Sequence, residues 1–149
     1  MEESQKEAMR LDCQLCFPLY AAARQVTGLY TPILKPLGLT YTQYLVMLVL
    51  WEEERLTMGA LGEKLYLDSG TLTPLLKKME TAGLIVRERC RDDERCMVIS
   101  LTEKGRAMQE KAAHVPSAVG KCVSLPREDA LRLRDLLNRL LEKGAEYEQ

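Results

Sequence analysis

Apolar residues recur along this chain with two periods, and the change from one to the other marks its centre. Residues 56–102 read LTMGALGEKLYLDSGTLTPLLKKMETAGLIVRERCRDDERCMVISLT. Leu72, Leu75, Leu76 and Met79 fall at i, i+3, i+4 and i+7, the spacing of a helical stripe packed on a core. Asp68 or Ser69 can cap the start of this helix, expected over residues 68–85, and Gly83 sits where a helix stops in the left-handed conformation. Its other face carries Thr71, Thr73, Lys77 and Lys78, which are short donors and cations. Residues 58–66 show a shorter helical pattern, joined to it by the turn Leu67-Asp68-Ser69. Residues 85–88 and 97–101 then alternate like strands around a charged tip, residues 89–95. Helix, turn, helix and charged hairpin form a winged helix-turn-helix. One helix of such a unit enters a major groove while the hairpin reaches the flanking backbone or minor groove. The plainer reading is a small α+β domain with a solvated hairpin.

The flanks are helical. Residues 1–10 are polar and expected to fray. Residues 11–30 carry Leu15, Leu19, Ala22, Val26 and Leu29 on one side. Pro18 interrupts them, so the helix either starts close to Cys16 or bends there. Residues 31–38, with Pro32, Pro36 and Gly38, read as a connector. Thr40-Tyr41-Thr42-Gln43 has the form of a capping box before an apolar run that ends at Trp51. A helix this apolar is expected to be buried nearly all round and to form the spine of the domain. Thr102 caps a further helix, with Glu103 in its first turn, to about Ala113, and Val115-Pro116-Ser117 breaks or bends it. Residues 120–126, including Cys122, read as irregular or short-helical, and residues 127–147 as a last helix with a stripe of Leu133, Leu136, Leu137, Leu140 and Leu141.

These outer helices have more apolar face than one small winged unit can cover. Burying them against the same helices of a second copy gives a two-fold dimer, which presents two recognition helices to a palindromic site. Folding back on the monomer is the alternative. The expected class is therefore mainly α with a small β-hairpin wing (α+β), in a single domain over residues 1–149. Residues 40–102 form the winged core, and residues 11–38 and 103–147 the dimerisation helices.

Charge qualifies this picture. The chain of 149 residues has net charge −1, and the tip mixes Arg89, Arg91 and Arg95 with Asp92, Asp93 and Glu94. Any positive surface for DNA must be local and gathered by the fold. The longest apolar run, residues 44–51, is far short of a membrane span, and the polar start lacks a signal-peptide core. A cytoplasmic protein without a membrane partner is expected. Five cysteines in that compartment are expected to be mostly reduced, as core thiols, metal ligands or redox sensors.

On a helix, Tyr20 lies one turn after Cys16, and its hydroxyl can reach the sulfur. Phenol donors favour the thiolate, the form that a peroxide oxidises. The plainer reading is an inert core thiol. Cys13 and Cys16 form a C-x-x-C pair, and Cys90 and Cys96 flank the wing tip. A four-thiolate zinc site is conceivable, but the two pairs belong to separate parts of the expected fold, so no metal and no cofactor is expected. The one histidine, His114, lies beside the Pro116 break and reads as solvent-facing rather than catalytic.

At Gln14-Leu15-Cys16-Phe17, Leu19-Tyr20-Ala21, Leu39-Thr40-Tyr41-Thr42-Gln43-Tyr44 and Leu48-Val49-Leu50-Trp51-Glu52 the chain resembles the MarR family of winged-helix repressors. Within it, the chain is similar to the OhrR branch of organic-hydroperoxide sensors. The resemblance continues through Leu65-Tyr66-Leu67-Asp68-Ser69-Gly70-Thr71-Leu72-Thr73-Pro74-Leu75-Leu76-Lys77, Asp93-Glu94-Arg95 and Ile99-Ser100-Leu101-Thr102, and it covers residues 11–106. It implies an obligate homodimer bound to pseudo-palindromic operator DNA, with Cys16 as the peroxide-reactive thiol. It implies thiolate partners at Tyr20 and Tyr30 of the same chain and Tyr41 of the other. It places the recognition helix, with Asp68, Ser69, Thr71, Thr73, Lys77 and Lys78, in the major groove and Arg95 in the minor groove. The branch contains one-cysteine and two-cysteine sensors, and Cys122 lies in the region of the second cysteine, which forms a disulfide with the other subunit's reactive thiol.

The expected function is a repressor that releases DNA when an organic hydroperoxide oxidises Cys16, a stoichiometric event and not an enzyme's turnover. Two other readings stay open: a regulator of virulence or drug-resistance genes that binds a phenolic ligand, and a thiol peroxidase with Cys16 attacking and Cys122 resolving. Peroxide consumed in excess of protein would mark the enzyme.

Overall fold

Side-chain caps set the starts of the four helices in the middle of the chain. The computed structural model describes residues 3–93 and 95–145. Glu94 of the wing tip and residues 146–147 of the expected last helix lie outside the described residues. A short helix α1 (Glu3–Ala8) and a 3-10 turn (Leu11–Cys13) precede α2 (Cys16–Leu34), a second 3-10 turn (Lys35–Leu37) and α3 (Tyr41–Glu53). Next come β1 (Arg55–Thr57), α4 (Met58–Leu65), α5 (Ser69–Thr81), β2 (Ile85–Arg89) and β3 (Met97–Leu101). Then α6 (Glu103–Ala112), α7 (Val115–Cys122) and α8 (Arg127–Ala145) follow. The chain groups into two compact units, residues 1–119 and residues 120–149, the second built on α8.

The capping box at α3 is present in full: Thr40 accepts from the Gln43 amide, and the Gln43 side chain accepts from the Thr40 amide. The Thr57, Asp68 and Thr102 side chains cap α4, α5 and α6 by accepting from the amides of Ala60, Thr71 and Gly105. At the far end of α5, Gly83 adopts φ 73°. Its amide donates to Glu80 and that of Leu84 to Met79, a Schellman closure that needs the left-handed residue.

The core of the first unit lies where α3 meets α4, α5, α6 and the sheet. Met47, Leu50, Leu61, Leu72, Leu76 and Ile99 are fully buried there, and each such side chain contributes about 1.5–3 kcal/mol. The Trp51 indole N–H donates to the Gly105 carbonyl at 3.0 Å and ties α3 to α6. The sheet is antiparallel in the order β1-β3-β2, with Arg87 opposite Ile99 and Leu56 opposite Ile99 on the other side.

Several expectations change. Residues near the N-terminus are helical as α1 rather than frayed throughout. Residues 11–15 are not part of the long helix, which starts at Cys16 with Pro18 in its first turn, where proline is tolerated. At its other end α2 runs through Pro32 to Leu34, into the expected connector. The spine helix α3 leaves Leu48 exposed, so it is not covered all round. The sheet has a third strand, β1, that the hairpin reading lacked. The five cysteines are not all thiols: Cys90 and Cys96 form a disulfide with Cα atoms 5.3 Å apart, because the hairpin register sets them opposite one another. Among the described residues no single helix is long and apolar enough to cross a membrane.

Candidate nucleic-acid interface and thiol centre

The recognition helix α5 is held against α4 by a close backbone approach. A Cβ on Gly62 would lie 2.6 Å from the Leu67 carbonyl oxygen and 3.3 Å from Leu72 Cδ1. Tyr66, in the left-handed region at φ 53°, turns the chain from α4 towards α5. Asp68 then caps α5: its carboxylate accepts from the Thr71 amide at 2.8 Å and from the Thr71 hydroxyl at 3.3 Å. That amide, first among several donors, holds the Asp68 carboxyl below the usual carboxylate range. Asp68 thus has a structural task. The Thr73 hydroxyl donates to the Ser69 carbonyl at 2.7 Å. Ser69, Thr71, Lys77 and Lys78 are exposed and Thr73 is half-buried. With Gly70 and Pro74 they cover the arc of α5 opposite the buried Leu72, Leu76 and Met79.

The pair of Arg87 and Glu80 ties the wing to this helix. Arg87 on β2 donates from Nη2 at 2.7 Å and Nε at 3.0 Å to Glu80 Oε2, and its amide donates to Oε1 at 3.1 Å. The Arg87 side chain, first among the causes, lowers the Glu80 carboxyl from its ordinary value. Arg95 is exposed at the wing tip, where its amide donates to Asp93 Oδ1 at 2.9 Å. A cleft of about 490 Å³ beside the wing is lined by Arg55, Glu88, Arg89, Cys90 and Arg91. Arg55 is a cation that sequence reasoning missed, because it stands on the unrecognised β1. Glu80 and Arg87 were missed because seven residues and a helix end separate them.

Cys16 is the first residue of α2 and is exposed, as is Cys13 in the preceding turn. The Tyr20 hydroxyl accepts from Arg24 Nη1 at 3.2 Å, and the guanidinium lies over the Tyr20 ring, 5.5 Å from its centroid. Tyr30 stands fourteen residues after Cys16 on the same helix, which separates them by about 21 Å at 1.5 Å per residue. A same-chain contact between Tyr30 and Cys16 is therefore ruled out by helix geometry. Tyr30 instead packs on Tyr41 with ring centroids 4.6 Å apart, and on Tyr44 at 5.9 Å. Burial first, and then Tyr30, raises the Tyr41 phenol above its ordinary value, so it stays protonated and able to donate. Cys122 is exposed at the end of α7. His114 is exposed, with Nδ1 2.9 Å from the Lys111 carbonyl oxygen. Among the described residues no group of three or more His, Cys, Asp or Glu is placed to hold a metal ion.

With this geometry established, comparison with known proteins is specific. The profile of the SarA/Rot transcriptional regulators matches residues 28–112, over half of the chain. The organic hydroperoxide resistance transcriptional regulator of Bacillus subtilis is 49% identical over 140 residues, 94% of this chain and 95% of that protein. The solved structure of reduced AbfR bound to DNA superposes with a TM-score of 0.77 at 40% identity, covering 93% of this chain and 97% of that one. AbfR is a protein of Staphylococcus epidermidis. Its disulfide-formed state superposes with a TM-score of 0.63 at 38% identity, covering 95% and 99% of the two chains. The chain belongs to the SarA/Rot family of winged helix-turn-helix transcriptional regulators, of the MarR type and similar over its length to organic-hydroperoxide resistance regulators, and it is a regulator rather than an enzyme.

Proposed function

We propose that this protein is a homodimeric repressor that binds operator DNA through α5 and the wing, and releases it when an organic hydroperoxide oxidises Cys16. The observation that carries this reading is an exposed thiol on the first residue of α2, in a chain 49% identical to a hydroperoxide resistance regulator. DNA binding draws on the exposed arc of Ser69, Thr71, Thr73, Lys77 and Lys78, and on Arg95 at the tip. Asp68 serves by capping the helix that presents them. The dimer is supported by apolar side chains left open on the outer helices: Leu15 is 76% exposed on the residue before α2, and Leu136 is 51% exposed on α8. Because Tyr30 and Tyr41 pack together and Tyr30 is out of reach of its own Cys16, both phenols approach Cys16 from the partner subunit in this reading. Tyr20, one turn along α2, is the same-chain partner. The protein acts in the cytoplasm, where its DNA is.

The chemistry consumes one peroxide. The Cys16 thiolate attacks the terminal peroxide oxygen, the O–O bond breaks and an alcohol leaves, which yields a sulfenic acid. The thiol of Cys122 of the partner subunit then attacks that sulfur, water leaves and a disulfide forms between chains. The resulting shift of the outer helices alters the spacing of the two recognition helices, and half-site spacing sets operator affinity.

A gel shift on the DNA upstream of the gene, with and without cumene hydroperoxide, tests the reading. Wild type is expected to bind and then to release; Cys16→Ser is expected to bind and stay bound. Release of Cys16→Ser by the peroxide would disprove the role of Cys16. Non-reducing electrophoresis of the treated wild type is expected to show a crosslinked dimer that Cys122→Ser lacks.

A further inference from the structure

The hairpin that carries the charged tip closes on two cysteines. The strands pair up to Arg89 opposite Met97, and one step further the Cys90 amide donates to the Cys96 carbonyl at 2.9 Å. The Cα atoms of Cys90 and Cys96 are 5.3 Å apart and their sulfurs are bonded. That separation lies inside the range a disulfide accepts without moving backbone. The strand register alone sets the two side chains opposite one another, so a reduced pair would already be in place to close. The ring encloses residues 91–95, with Arg91 and Arg95 at its two ends, and the Cys96 amide is held by the Asp93 carbonyl at 3.0 Å. Cys90 lines the cleft beside Arg55, Arg89 and Arg91, with Glu88 as the one carboxylate of that lining.

A disulfide in a protein that works on DNA in a reducing compartment is a transient, redox-responsive bond rather than a permanent staple. We propose that Cys90 and Cys96 form a second redox site, in the wing, which switches between dithiol and disulfide and sets how well the tip is ordered for the DNA backbone. The oxidant is a low-molecular-weight disulfide. One wing thiolate attacks it and displaces one small thiol, leaving a mixed disulfide. The second wing thiol displaces the other small thiol and closes the ring, so two electrons pass from the wing to the small disulfide. Closing the ring removes freedom from residues 90–96, and a loop ordered beforehand loses less entropy on binding. The disulfide form therefore binds DNA more tightly, opposite in sense to oxidation at Cys16. This rests on the proposed function in two respects, the contact of the wing with DNA and the reducing compartment.

The test uses the full chain with Cys13, Cys16 and Cys122 changed to Ser, which leaves the wing pair as the only thiols. In buffers running from reduced to oxidised glutathione, peptide mass mapping is expected to show Cys90–Cys96 pass from dithiol to disulfide. At fixed salt, Kd for the upstream DNA is expected to fall about tenfold as the ring closes, a typical coupling between sites. Adding Cys96→Ser is expected to abolish both changes. A pair that stays bonded in excess reduced glutathione, never closes in excess oxidised glutathione, or closes with no change in Kd would overturn the proposal. No DNA binding in either state would overturn the DNA reading instead, and the mass titration would then decide the thiol pair alone. Failure of the Cys16 reading would be visible separately, as a wild type that hydroperoxide does not release.

Discussion

At the scale of single residues, the pair of Glu80 and Arg87 links α5 to β2. The Arg87 guanidinium lowers the Glu80 carboxyl, so the folded state favours the ionised form more than the unfolded chain does. The stability that follows is present above the ordinary glutamate value of 4.5 and is lost as pH falls through the lowered folded value. Glu80→Gln is expected to cost about 1 kcal/mol at neutral pH, since a side chain 37% exposed is partly screened. The difference from wild type should vanish well below pH 4.5 in urea melts run across pH. A difference independent of pH would mean that packing, and not charge, carries the pair.

At the scale of elements, the approach of α4 to the start of α5 decides where the recognition helix points. Alanine is a better helix former than glycine by about 1 kcal/mol. At Gly62 the new methyl would meet the Leu67 backbone oxygen at 2.6 Å, and a backbone atom cannot swing aside as a flexible side chain does. Overpacking of that kind costs about 1–3 kcal/mol, so the steric effect wins. Gly62→Ala is therefore expected to lower the melting temperature and to weaken DNA binding, because α5 must shift. A variant as stable as wild type, with the same affinity, would refute this account of the turn.

At the scale of the whole molecule, the outer helices carry apolar faces that the chain itself leaves exposed. On α8 Leu133, Leu136, Leu140 and Leu141 are all more than 40% exposed. A contiguous apolar stripe of this kind marks an association surface in a protein that stays dissolved. Leu136→Glu with Leu140→Glu is expected to turn a dimer into a monomer by sedimentation while leaving the far-ultraviolet helix signal in place. A dimer that persists unchanged would show that α8 is not part of the interface. With the net charge at −1, the proposed attraction for DNA rests on cations that stand locally, Lys77 and Lys78 on α5 and Arg55, Arg89 and Arg91 at the cleft beside the wing.

The winged core was legible in the sequence because its signals are short. A capping box spans four residues, a helical stripe repeats within one or two turns, and Gly83 announces a helix end by its own conformation. Such signals act between near neighbours, so order along the chain suffices to read them. The site was legible only in part. Cys16 and the exposed face of α5 could be named, but the length of α2 puts Tyr30 out of reach of the Cys16 of its own chain, and Tyr30 packs on Tyr41 instead. The strand β1 has three residues, too few to show a period, and exists because β3 offers it an edge. Cys90 and Cys96 meet because two strands pair in one register, and Glu80 meets Arg87 because a helix end folds back on a strand. These contacts depend on distances across elements, which the tertiary packing sets and which no period or cap along the chain encodes.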